Sequence, residues 1–180
     1  GIVATLRSWK GHRYLVDAMT GTGLEQAHLL IVGDGPGRDN LKAQIAANGL
    51  QGRATMAGNQ ADVVPWLRAM DIFVLPSYAN EGVPQALMQA MATGIPVVTT
   101  GVGAVGELVR PDDTGLVVTP QDVPAIQAAL LRLMGDAALR ERLSTAALTH
   151  VQRHCSQENM LERMEAVFND TVARRTAHAR

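Results

Sequence analysis

Two charged residues of this 180-residue chain, Lys10 and Glu81, stand where charge could act on a bound molecule. Lys10 ends the run Arg7-Ser8-Trp9-Lys10 and precedes Gly11, between an apolar stretch and a segment of helical period. An ammonium beside free backbone N–H groups at a helix start can hold one anion, and a diphosphate suits that arrangement. A solvated surface turn accounts equally well for the same residues. Glu81 lies within Leu75-Pro76-Ser77-Tyr78-Ala79-Asn80-Glu81-Gly82-Val83-Pro84. Pro84 suits the first turn of a helix, where a missing N–H costs nothing. The N–H groups around Gly82 and Val83 would then face the space beyond the preceding strand, with Glu81 beside them as an acceptor for ligand hydroxyls. In the helix after Pro84, Gln85 and Gln89 are four apart and share a face, whereas Leu87, Met88 and Met91 point the other way. A carboxylate and an amide on one side make a clamp for a polyol. A turn glutamate above a wet helix face would read the same.

Two glycine-dense segments could also let a ligand approach the backbone. Gly33-Asp34-Gly35-Pro36-Gly37 follows an apolar run and is either such a loop or a tight turn into a helix. Gly101-Val102-Gly103-Ala104-Val105-Gly106 is a literal G-x-G-x-x-G. A dinucleotide site is nevertheless not expected there. The helix it opens is cut short by Arg110-Pro111, and no acidic residue ends a second strand about 20 residues later, as dinucleotide binding requires.

Other chemistry is sparse. His150 and His154 are four apart but lack a third ligand nearby, so no metal site is expected. Cys155 is the single cysteine and excludes an intrachain disulfide. Trp9 and Trp66 could stack on a base or sugar, or simply pack. The net charge of −1 argues against nucleic-acid binding, and Arg174, Arg175 and Arg180 read as a solvated end. No apolar run approaches the roughly 20 residues of a membrane span.

The elements that must position these residues alternate regularly. Strands are expected at 2–6, 28–32, 54–57, 72–75, 97–100 and 116–118, and helices at 12–19, 38–47, 62–69, 85–93 and 104–109. Continuous β-branched runs suit strands covered on both faces, as in a parallel sheet. The expected fold is α/β: a Rossmann-like, doubly wound parallel sheet of about six strands. Ligands of such sheets bind beyond the carboxyl ends of the strands. From Asp122, an N-cap candidate, the pattern turns helical, over 123–134, 137–154 and 157–174. Residues 1–150 are read as a nucleotide-sugar-binding unit and 151–180 as a C-terminal helical tail that packs across the domain or reaches an absent neighbour. Because Gly1 runs straight into a strand, the chain is read as part of a longer one.

Taken in order, these segments resemble the C-terminal domain of the group-one, family-four retaining glycosyltransferases, which have the GT-B fold. The matching pieces are Lys10-Gly11, Ile31-Val32-Gly33-Asp34-Gly35-Pro36 and Ala69-Met70-Asp71-Ile72-Phe73-Val74-Leu75-Pro76-Ser77. Glu81-Gly82-Val83-Pro84, Ala90-Met91-Ala92-Thr93-Gly94-Ile95-Pro96-Val97-Val98 and Thr114-Gly115-Leu116-Val117-Val118 complete the match. The resemblance implies transfer of a sugar from a nucleoside diphosphate to an acceptor hydroxyl with retention, without a metal or other cofactor. It implies that Lys10 contacts the diphosphate, and that Glu81 and the backbone after it hold the sugar. Two positions depart from the pattern. The family's second glutamate, which binds ribose, is Gln89 here, and its basic residue after the first strand falls at Thr5. Arg7 is the neighbouring candidate to supply that missing charge.

The implied partners are a nucleotide-sugar donor and an N-terminal acceptor-binding domain not present in this chain. The implied setting is cytoplasmic, at the inner face of the membrane if the full-length protein associates with it peripherally. Envelope polysaccharide, lipopolysaccharide included, is the product class such enzymes suggest. Two other functions fit the same fold: half of a nucleotide-sugar epimerase, and a non-catalytic nucleotide-binding module, for which the Thr5 and Gln89 departures speak.

Overall fold

A computed structural model describes residues 1–178, and Arg180 lies outside them, as do the side chains of Arg175 and His178. Six parallel strands form two three-stranded sheets. The first is ordered β1 (Ile2–Val3), β2 (Leu29–Val32), β3 (Ala54–Gly58); the second is β4 (Phe73–Leu75), β5 (Val97–Thr100), β6 (Leu116–Val118). Two backbone bonds join the sheets along β1 and β4. The Gly1 nitrogen donates to Ile72 O at 2.7 Å, and Val74 N donates to Gly1 O at 2.8 Å. The strands therefore run β3-β2-β1-β4-β5-β6, the doubly wound order, with its reversal between β1 and β4.

Helices cover both faces. They are α1 (His12–Ala18), α2 (Arg38–Ala47), α3 (Val64–Arg68), α4 (Gln85–Ala92), α5 (Val105–Leu108), α6 (Val123–Gly135) and α7 (Ala137–His154), followed by α8 (Gln157–His178). Phe73, Val74 and Leu75 of β4 and all of β5 are buried, as strands covered on both sides must be. α4 turns Leu87, Ala90 and Met91 inward and leaves Gln85 exposed and Gln89 half-buried. α7 packs Leu143 and Ala147 into the same core. Asp122 caps α6 as its sequence suggests, accepting from Ala125 N at 2.9 Å, and Asp136 caps α7 through Leu139 N at 2.8 Å.

Some boundaries differ from expectation for identifiable reasons. β1 stops at Val3 rather than Leu6, because Leu6 N bonds the loop oxygen of Asp34 at 3.0 Å instead of continuing the ladder. α3 begins at Val64 rather than 62, since the Asp62 carboxylate accepts from Val64 N at 3.0 Å and stands before the helix. α7 keeps its expected span, Ala137–His154. α8 leaves Met160, Leu161, Met164, Val167 and Phe168 exposed, so a tail with an apolar face is present but unburied here.

His12 opens α1 and is 5% exposed, and its Nε2 has no hydrogen-bond partner. Burial, and after it the neighbouring Lys10 charge, lowers its pKa from 6.5 to about 4, against a smaller upward pull from the Ala4 backbone. Between those values the unfolded chain takes up a proton that the folded chain refuses. Stability is thus complete above pH 6.5 and falls as pH drops towards 4, at a slope approaching about 1.4 kcal/mol per unit. Urea unfolding across this range should show His12→Gln with a flatter acid limb than wild type; equal slopes would remove His12 from the account.

Candidate functional site

The crevice lies where the strand order reverses, because loops leaving β1 and β4 turn to opposite sides of the sheet and leave space between them. After β1 the chain makes a single 3-10 turn, Ser8–Lys10, closed by Gly11 at φ 78°. A Cβ at Gly11 would sit 1.9 Å from the carbonyl oxygen of Pro76, so the turn rests directly on the chain leaving β4. Tyr78 N donates to Trp9 O at 2.9 Å and laces the two loops together.

That contact brings Lys10 to Glu81 across 71 positions of sequence. Lys10 Nζ donates to Glu81 Oε1 at 2.7 Å and to Oε2 at 2.9 Å. The Glu81 side chain is only 3% exposed and that of Lys10 20%, so neither charge is simply solvated. Ser77, fully buried, donates its hydroxyl to Glu81 Oε1 at 2.5 Å. The Glu81 backbone is pressed from the other side by Gly103, at φ 58°, where a Cβ would lie 1.9 Å from Glu81 O. The G-x-G-x-x-G segment therefore acts by steric fit. Its middle glycine lets one loop lie on the backbone of the acidic residue.

A cavity of about 250 Å³ adjoins the carboxyl ends of β1 and β2. Thr5, Gly33, Asn59, Gln60, Gln85 and Gln89 are among its lining residues. It gathers amides, and Asp34, its one carboxylate, is engaged with Arg38 Nη1 at 3.0 Å. Three expected residues, Gly33, Gln85 and Gln89, meet here. Gly82 and Val83 are exposed and Pro84 is buried at the head of α4. Arg7 joins neither group. Its guanidinium lies over Trp9, 5.5 Å from the ring centroid, beside a different cavity of about 280 Å³ between α1 and α2.

Sequence reading passed over Ser77, Asn59 and Gln60. Ser77 directly follows a strand and proline, a position at which serine is ordinary; only its four-residue spacing from Glu81 hinted at contact. His150 and His154 stand with rings 4.8 Å apart along an apolar groove beside α8. Among the described residues, no group of three His, Cys, Asp or Glu side chains could hold a metal ion.

The family model described as glycosyl transferases group 1 matches residues 1–136. The chain belongs to this family. A lipopolysaccharide core biosynthesis mannosyltransferase of Rhizobium leguminosarum bv. viciae is 34% identical over 134 residues, which are 74% of this chain and 38% of that protein. The structure of Anabaena Alr3699/HepE in complex with UDP superposes with a TM-score of 0.90 at 24% identity, covering 94% of this chain and 48% of the other, and shows the shared fold. The C-terminal domain of a Francisella tularensis group 1 glycosyl transferase superposes with a TM-score of 0.78 at 27% identity, covering 87% of this chain and 85% of that one. The chain thus spans well under half of that mannosyltransferase and about half of the Anabaena protein.

Two glycines of one motif separate fit from flexibility. Gly103→Ala should destabilise by about 1–3 kcal/mol, through positive φ and the collision with Glu81. Gly106, inside α5 with open space around it, should gain about 0.5–1 kcal/mol as Ala. Thermal unfolding of both variants checks this, and equal shifts would contradict the packing described.

Proposed function

We propose that this chain is the donor-holding half of a retaining glycosyltransferase. It binds a nucleoside-diphosphate sugar. The rest of the protein supplies the acceptor, to whose hydroxyl the sugar is transferred. The convergence of Lys10 on Glu81 at the switch point of the sheet carries this reading, because one bound molecule can then touch an ammonium and a carboxylate together. As the bond to the sugar breaks, negative charge grows on the diphosphate, and Lys10 stabilises it together with loop N–H groups. Glu81 accepts sugar hydroxyls and orients the donor without attacking it. Charge stabilisation by Lys10 and backbone donors gives a scheme that needs no metal.

The adjoining amide-lined cavity is proposed for the nucleoside, with Gln89 at the ribose. An amide gives one hydroxyl an acceptor and another a donor, without the added strength of a carboxylate. The short coverage of the relatives and the exposed apolar face of α8 support a second half that completes the cleft. No helix of the described residues is long and apolar enough to cross a membrane. We place the reaction at the cytoplasmic face of a membrane, with envelope polysaccharide as product, supported by the lipopolysaccharide enzyme among the relatives.

Titration calorimetry with UDP-glucose, GDP-mannose, UDP and GDP tests the donor site on the chain itself. At least one donor should bind. Lys10→Gln should then weaken it tenfold or more, the worth of about 1.5 kcal/mol for a charged hydrogen bond, while Gln89→Glu should tighten it. Arg7→Ala asks whether the charge absent at Thr5 comes from next door, and the separate cavity of Arg7 predicts affinity within about twofold of wild type. Binding indifferent to Lys10 would refute the site. Turnover by this chain alone would refute the need for a second half.

A further inference from the structure

Ser77 donates to Glu81, and its surroundings fix it in place. Its side chain is fully buried, and its carbonyl oxygen accepts from the Thr100 hydroxyl at the end of β5. Two residues before Ser77, Leu75 O accepts from Thr99 Oγ1 at 3.0 Å. Two threonines of β5 thus hold the chain as it leaves β4. From this anchored position the Ser77 hydroxyl reaches Glu81 Oε1 at 2.5 Å.

A carboxylate offers about four lone-pair sites, two on each oxygen. Oε1 of Glu81 spends both, one on Lys10 at 2.7 Å and one on Ser77. Oε2 spends one, on Lys10 at 2.9 Å. A single acceptor position is left, on Oε2. A hydroxyl arriving from a ligand meets this oxygen and no other while the ion pair stands. When an anion draws Lys10 away, Oε1 keeps the serine bond and opens one acceptor position against two on Oε2, and the carboxylate does not swing about its terminal torsion, which is otherwise broad.

We propose that Ser77 is a positioning residue that selects Oε2 of Glu81 as the oxygen presented to the sugar of the donor. This rests on the reading of Glu81 as the sugar-facing carboxylate. Ser77 touches no ligand itself; it acts through Glu81. Its removal should therefore change how the sugar is held while leaving the grip on the diphosphate and nucleoside intact.

The test is a double-mutant cycle read by calorimetry, using whichever of UDP-glucose or GDP-mannose binds wild type, alongside UDP or GDP alone. A C-terminal domain of the Francisella tularensis relative has been crystallised by itself, which supports work on the 180-residue chain. The quantity read is the sugar increment, the ratio of nucleoside-diphosphate Kd to donor Kd. Ser77→Ala should reduce the increment about tenfold while diphosphate affinity stays within about twofold, since a hydrogen bond to a charged group contributes on that order. On a Glu81→Ala background the same change should have no further effect on the increment, because its only route is gone.

A loosened fold would instead weaken diphosphate and donor alike, and additive losses in the cycle would give Ser77 a role independent of Glu81; either result overturns the proposal. A wild-type chain that binds the diphosphate as tightly as the donor removes the sugar-facing role of Glu81, and this inference with it. A wild-type increment that survives Ser77→Ala unchanged leaves the role of Glu81 standing and removes Ser77 alone.

Discussion

The ion pair between Lys10 and Glu81 can exist only because β1 and β4 are neighbours although 71 residues separate the two charges. A parallel sheet wound in both directions from its centre sends the loop after β1 to one side and the loop after β4 to the other. At that reversal alone, two loops leave adjacent strands without a crossover helix between them. Glu81 is almost wholly buried, and a carboxylate in that position is costly unless a cation and further donors meet it. Lys10 and Ser77 are those partners. The topology thus decides that a charge can be buried here, and the pair decides how it is oriented.

Holding such a pair to geometry requires loops that touch backbone to backbone. Gly11 lets the lysine turn lie on Pro76, and Gly103 lets the loop after β5 lie on Glu81 itself. Side chains at either position would part the loops by more than an ångström and lengthen every bond of the pair. The bonds from Thr99 and Thr100 to the chain after β4 act in the same direction, fixing the floor from which Ser77 and Glu81 rise. On the proposed reading, rigid contacts of this kind keep the pair in place before a ligand arrives, which lowers the entropy lost on binding.

Much of this was legible in the residues. Alternation of β-branched runs with helical segments predicts about six parallel strands, and every strand but β1 falls on its expected boundaries or within one residue of them, as do α1, α2, α4, α5, α6 and α7. Lys10 and Glu81 were visible because each lies beside glycine in a loop after a strand, the end of the sheet at which ligands of such folds bind. Ser77 was not, since its burial and short bond depend on β5, more than twenty residues on. Asn59 and Gln60 escaped for a similar reason: they face the cavity from the end of β3, whose register against β2 slips between Ile31 and Val32. The use of G-x-G-x-x-G as a spacer for Glu81 is a contact between distant segments that periodicity cannot see. Leu6 shows the same limit on a smaller scale, for its apolar character fits a strand while its N–H bonds a loop.

In the unliganded chain the two groups proposed to grip the donor neutralise each other. On that reading, a diphosphate competes with Glu81 for the ammonium, and each step it gains loosens the carboxylate from Lys10 and frees acceptor capacity for a sugar hydroxyl. The two ends of the donor are then coupled through one side chain: the diphosphate prepares the sugar site, and a sugar that engages Glu81 in turn releases Lys10 to the diphosphate. Such coupling is reciprocal by thermodynamic necessity. It also explains why the pair sits partly exposed rather than sealed, with Lys10 retaining 20% of its surface. A fully buried pair would be too costly to open, and a fully exposed one would impose no order on what binds.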